Sequence, residues 1–160
     1  MKKHNFIAIG IMLLALFALP LKAADEGAKV VYHVDFNDVT RYSATLTSIN
    51  NIMNAYENEL MEADVHLVLV GHGLRFATDD GLKGTPYEHD AAMLERRDEL
   101  KGRLDALMNS RGVKVKLCDH TRNEINLDPA KIYDGIELVG SGVFDIAILQ
   151  SQGYAYLKIQ

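Results

Sequence analysis

The strongest constraint on this chain is an alternation. Short runs of β-branched and aliphatic residues take turns with longer stretches whose apolar residues recur every three or four positions. Val30-Val31-Tyr32-His33-Val34-Asp35 has the composition of a buried strand. Asn37 or Asp38 can cap a helix after it, and Val39, Tyr42, Leu46, Ile49, Met53, Tyr56 and Leu60 fall on one helical face. Val65–Val70 reads as a second strand. Glu88–Arg111 reads as a charged helix closed by Gly112. Its apolar stripe is interrupted by Arg96 and Arg97, so the helix should be half exposed or lie in a subunit contact. Val113–Leu117 is a third strand, and Asp128-Pro129 opens a short helical turn. Ile136–Val139 is a fourth strand, Ser141 caps a helix to about Gln152, and Tyr154–Ile159 is a fifth strand. Strands separated by helices call for a mostly parallel sheet with helices on both faces, a three-layer α/β domain. The order expected for five such strands is 2-1-3-4-5.

The first 23 residues stand apart. Lys2 and Lys3 precede an apolar run from Phe6 to Leu19, and Pro20-Leu21-Lys22-Ala23-Ala24 offers small residues for cleavage. This is the layout of a secretory signal peptide, with cleavage expected after Ala23 and a single domain over 24–160. The apolar core is shorter than the roughly 20 residues that span a bilayer. Of 17 basic side chains, three lie in the signal; the 14 left face 22 acidic ones, a net charge of −8. Such a surface disfavours nucleic acid and anionic lipid as partners, and no membrane association is expected once the signal is cleaved. Export points to the periplasm. There a lone cysteine is buried, paired between chains, or used chemically.

That cysteine is Cys118. It ends the third strand and is followed by Asp119-His120-Thr121. The carboxyl edge of a parallel sheet is where ligands bind in α/β proteins, and the expected order would place His33, Asp35, His72, Cys118 and His120 along it. The start of a following helix and a protonated His120 or His72 would favour the thiolate, whereas Asp119 would oppose it. The competing reading is a small buried hydrophobe. His33, His72, His120 and Cys118 also hold enough nitrogen and sulfur for a zinc or copper site, although no pair has the close spacing typical of one. Gly71-His72-Gly73 is not a dinucleotide fingerprint, and no phosphate-loop lysine or nucleophile elbow is present, so no cofactor is expected. The long Gly71–Pro86 connection, with four glycines and one proline, reads either as a functional loop or as surface decoration.

Four segments carry a family likeness. Cys118-Asp119-His120-Thr121 is similar to a Cys-x-x-Thr strand end. It is joined by Leu138-Val139-Gly140-Ser141-Gly142-Val143, by Leu149 through Leu157 with its Gln-Gly-Tyr-Ala-Tyr, and by Val68 through Gly73. Together they resemble the DsrE/DsrF-like family, in particular its small exported members. The resemblance implies a flavodoxin-like fold and a homo-oligomer, trimeric or hexameric. It also implies a persulfide carried on Cys118, with a protein as sulfur donor or acceptor; His120 and His72, placed at the same strand-end edge, would tune the thiol, and Thr121 would hydrogen-bond nearby. One position departs from the pattern: Arg122 stands where an apolar residue commonly follows Cys-x-x-Thr. The alternative is a non-catalytic oligomer that holds a small ligand or metal, with Cys118 merely packed.

Overall fold

The structure, a computed structural model, describes residues 27–160; the proposed signal segment lies outside these. Strands β1 (Ala28–Val34), β2 (Ala63–Leu69), β3 (Lys114–Cys118), β4 (Glu137–Val139) and β5 (Ala155–Leu157) form one parallel sheet. Helices α1 (Val39–Asn58), α2 (Ala91–Arg111), α3 (Asp119–Glu124) and α4 (Gly142–Ser151) connect them. The three-layer α/β architecture is the expected one.

The order across the sheet is β4-β3-β2-β1-β5. Against the 2-1-3-4-5 expectation, β2 rather than β1 stands between its two sequence neighbours. The cause is which face each crossover uses. The connections after β1, β2 and β3 all pack on one face, where Leu46 and Ile49 of α1, Leu100 and Leu104 of α2, and Leu127 and Ile132 share a core with Leu67, Leu69 and Leu117. Right-handed crossovers on one face lay successive strands side by side. Only α4 covers the other face, through Ile146 and Leu149 against Val31 and Val68. It carries the chain back past β1, so β5 pairs with β1 on the far edge.

This rearrangement moves the topological switch without moving it away from the cysteine. Neighbouring strands whose outgoing connections leave on opposite faces are now β3 and β4. The crevice beyond their carboxyl ends is the place such sheets reserve for ligands.

The helix boundaries follow local chemistry. The Asp38 side chain accepts a hydrogen bond from Arg41 N at 2.8 Å and starts α1. The Asp90 side chain accepts from Met93 N at 2.9 Å and starts α2 at Ala91, three residues later than Glu88. Gly112, with φ +68°, closes α2 in the left-handed region. Leu60, expected on the buried face of α1, is instead 93% exposed, because the helix ends at Asn58 and Leu60 turns with φ +57°. Helix α2 is half exposed, as its broken stripe suggested: Met93, Leu100, Leu104 and Leu107 are buried while Leu94 is open.

The Gly71–Pro86 connection is not surface decoration. It begins as a 3₁₀ helix (Gly71–Phe76) and is buried from Gly73 through Thr78. Phe76 stacks on Tyr42 of α1 with ring centroids 3.8 Å apart. The Arg75 side chain is buried, with Nη1 donating to the Asn37 carbonyl at 3.2 Å and Nη2 lying 3.1 Å from Asp90 Oδ2. The loop is thus pinned to the starts of both α1 and α2. Gly73 fits because it has no side chain: a Cβ there would run into the Val34 carbonyl oxygen, itself bonded to Val70 N at 2.9 Å. Gly73→Ala should therefore lower stability by about 1–3 kcal/mol, read as a lower urea midpoint with unchanged slope; an unchanged midpoint would contradict this packing.

Candidate functional site

Strand β3 delivers Cys118 to the crevice between β3 and β4. The residue keeps extended backbone geometry (φ −62°, ψ 109°) and is the N-cap of α3, but its side chain makes no capping bond. It is a free cysteine, 5% exposed. The β3–β4 register sets it beside Val139. After β4 the chain turns at Gly140, and Ser141 caps α4 by accepting a hydrogen bond from Phe144 N at 3.4 Å.

The first turn of α4 then lies on the strand ends. A Cβ placed on Gly142 would sit 2.6 Å from Val70 Cγ2 and 3.1 Å from Cys118 Cβ. Glycine is what permits that approach. A cavity of about 550 Å³ opens alongside. Val70 and Gly71 border it from the end of β2, Cys118, His120, Thr121 and Glu124 from β3 and α3, and Gly140, Ser141 and Val143 from the start of α4. Tyr87, from the loop before α2, closes it on a further side. A second groove between α1 and α2 carries Arg103 and Arg111. Their guanidinium groups are already committed to Ser43 and Thr47, and to Asn50 and Glu57, so that groove offers no free donor set.

The residues singled out in the sequence separate here. Thr121 is buried and structural as well as cavity-lining: its Oγ1 accepts a hydrogen bond from Gly71 N at 3.1 Å, tying α3 to the end of β2. His120 borders the cavity, is 76% exposed, and holds Nε2 3.5 Å from Glu124 Oε1. His72 does not border the cavity; its ring meets the Tyr87 ring edge-on, centroids 5.4 Å apart. His33 is farther off, on β1, with β2 between its strand and β3. There its Nδ1 shares a hydrogen bond of 2.9 Å with the Tyr156 hydroxyl, and burial pulls its pKa below the ordinary imidazole value despite nearby Asp35. The grouping of His33, His72, His120 and Cys118 considered for zinc or copper is therefore not assembled. Among the described residues, no group of three or more histidine, cysteine, aspartate or glutamate side chains is placed to hold a metal ion.

Three residues matter that sequence reasoning passed over. Tyr87 donates from its hydroxyl to Glu124 Oε2 at 3.0 Å, so a loop residue and a helix residue latch together at the cavity. Burial and then Glu124 push the Tyr87 phenol above its usual pKa. Glu124 was visible as the i+4 neighbour of His120, given a helix over 119–124. Arg122, the departure from the Cys-x-x-Thr pattern, has a partner that the sequence does not name. It is buried, with Nε donating to Asp119 Oδ1 at 2.6 Å, Nη2 to Asn123 Oδ1 at 2.5 Å, and Nη1 to the Leu127 carbonyl. The Asn123 amide holds the other Asp119 oxygen at 2.8 Å. The Arg122 bond keeps the Asp119 carboxyl below the usual carboxylate range. Asp119 is thus not a bare charge next to the thiol, because a guanidinium three residues on cancels it.

A single thiol at the β3/β4 switch of a parallel α/β sheet, under a helix start and open to a small cavity, defines the class of protein. A profile of the DsrE/DsrF-like family matches residues 29–159, and the chain belongs to that family. Among solved structures it is similar to the protein of unknown function MTH1491 from Methanobacterium thermoautotrophicum, with TM-score 0.63 and 22% identity over 82% of this chain and 98% of that one. It is also similar to the YchN protein from E. coli, with TM-score 0.50 and 17% identity over 82% of this chain and 99% of that one. At those identities the likeness speaks for the fold. No curated protein matches the chain.

The Asp119–Arg122 pair gives a signed pH prediction. A carboxyl whose folded pKa is depressed contributes stability above its unfolded value, near ~3.9, and that contribution is lost as pH falls through the folded value. Arg122→Leu should cost about 1–3 kcal/mol at pH 6, and the deficit should narrow as the pH is lowered toward ~2, leaving the part due to the lost bonds to Asn123 and Leu127. A deficit that does not shrink in acid would contradict the pairing.

Proposed function

We propose that this protein is exported to the periplasm and carries sulfur there as a persulfide on Cys118. The observation that bears most weight is geometric: the only thiol of the chain borders a cavity of about 550 Å³ at the switch of the sheet. The step needs nothing beyond a donor. The Cys118 thiolate attacks the outer sulfur of a persulfide or polysulfide, the donor S–S bond breaks, a new S–S bond forms on Cys118, and the shortened donor leaves as a thiolate. Transfer onward is the same exchange with an acceptor thiol attacking the outer sulfur. His120 borders the cavity and would hold or release a proton as the thiol exchanges, while Thr121 fixes the α3 start against β2. His72 would act only through Tyr87. The protein donor or acceptor is part of the same proposal.

Assembly into a trimer or hexamer also belongs to this reading. Val143, Phe144 and Ile148 of α4 and Tyr156 of β5 leave large apolar side chains open, and Val143 borders the cavity as well. A second copy covering this stripe would roof the cavity mouth. None of the described helices is long and apolar enough to cross a membrane.

The low exposure of Cys118 favours a second reading, in which the thiol is only packed and the cavity holds a small ligand. One experiment separates the two. Folded protein is treated with polysulfide, its mass measured, and an acceptor thiol then added. Sulfur carriage predicts added sulfur mass on Cys118 that the acceptor removes, none in Cys118→Ser, and a sedimentation mass of three or six chains. A thiol that gains no sulfur would sink the carrier reading, and a monomer would sink the assembly.

A further inference from the structure

Charge at the cavity is unequal. Of the ionisable groups close to Cys118 in the chain or at the cavity, Asp119 is cancelled by Arg122. Lys116, two residues before the thiol on β3, is paired with Asp145 of α4 at 2.9 Å. The α4 start, which by itself would draw an anion, is capped by Ser141 and carries Asp145 in its first turn. Tyr87 donates to Glu124 and stays neutral, since its pKa is raised. His120 lies 3.5 Å from Glu124 and adds charge only when protonated. No lysine or arginine lines the cavity, and the partner Glu124 has there is His120, so while that imidazole is neutral the Glu124 carboxylate is the one lining charge without an opposite partner.

We infer that Glu124 is a specificity residue, and that the Cys118 cavity takes neutral or cationic low-molecular-weight disulfides and persulfides in preference to anionic ones. The inference rests on reading Cys118 as a reactive thiol. Glu124 is half exposed, so an approaching anion meets a carboxylate partly screened by water, and an approaching cation is drawn in. One charge at such range alters the rate roughly two- to fourfold. The chemistry is ordinary exchange: the Cys118 thiolate attacks one sulfur of the disulfide, the S–S bond breaks, the mixed disulfide forms, and the other half leaves as a thiolate that takes a proton from water.

The test uses three disulfides of matched size on the whole protein at about pH 8.5, above the range in which an imidazole ordinarily holds a proton. Cystamine is cationic, 2-hydroxyethyl disulfide neutral, and dithiodipropionate anionic. Rates of mixed-disulfide formation on Cys118, read by mass, are each divided by the rate of the same probe with a free small thiol. The expected order is cationic, neutral, anionic, flattening in about 1 M salt, where the screening length falls to roughly 3 Å. Glu124→Gln should compress the order several-fold. Tyr87→Phe breaks the same hydrogen bond but keeps the charge, and should preserve it. An order that survives Glu124→Gln, is lost equally in Tyr87→Phe, or is absent in the wild type would overturn the inference alone. A Cys118 inert to all three probes would overturn the carrier reading along with it.

Discussion

Helix α4 rests directly on the ends of β2 and β3, and Gly142 is the point of contact. With a Cβ the helix would have to lift away from Val70 and Cys118. Most of the site follows from that approach. It holds the thiol almost out of solvent, shapes one side of the cavity, and leaves Val143 at its rim with Phe144 open to the outside. The approach depends in turn on α4 being the only helix on its face of the sheet. Three crossovers on the opposite face bring β1 to β4 into sequential order, and the single return helix must cross the sheet to seat β5 beside β1.

Electrostatics then decides which of the charges near the thiol are paired. A free carboxylate at position 119 would oppose a thiolate, and a buried guanidinium at position 122 would be costly alone. Placed three residues apart on one short helix, the two resolve each other, and Asn123 and the Leu127 carbonyl take most of the remaining hydrogen-bonding capacity. The acidic character of the crevice is left to Glu124, anchored to the loop before α2 by Tyr87. That loop is rigid at its base because Arg75 ties it to Asn37 and Asp90. The lining on this side is therefore part of the fold.

The alternation of apolar runs and helical periods was enough to specify the layers, the parallel sheet and the placing of Cys118 at a strand end, because burial imposes those patterns residue by residue. Strand order was not legible. Val31 and Val68 face α4 while Val30 and Leu67 face α1 and α2, yet a strand buried on both sides reads as apolar throughout and does not say which helix lies on which face. His33 looked like a neighbour of the thiol only because the expected order brought β1 beside β3; β2 does lie beside β3, but His72 falls in the 3₁₀ helix after it, where its ring packs on Tyr87. Leu60 fitted the period of α1 but fell beyond its end. Tyr87 lies 31 residues before Cys118 in a stretch without periodicity, so no pattern could have tied it to α3. The role of Arg122 needed the knowledge that Asp119 turns toward it.

The proposed sulfur chemistry requires that the thiol meet its substrate in the cavity beside Cys118. A crystal structure of protein reacted with 2-hydroxyethyl disulfide tests it most directly. The account predicts a mixed disulfide on Cys118 whose added group lies between Tyr87 and Val143, with Gly142 still seated on Val70. An unreacted thiol, or an adduct reached only by lifting α4 off the strand ends, would contradict it.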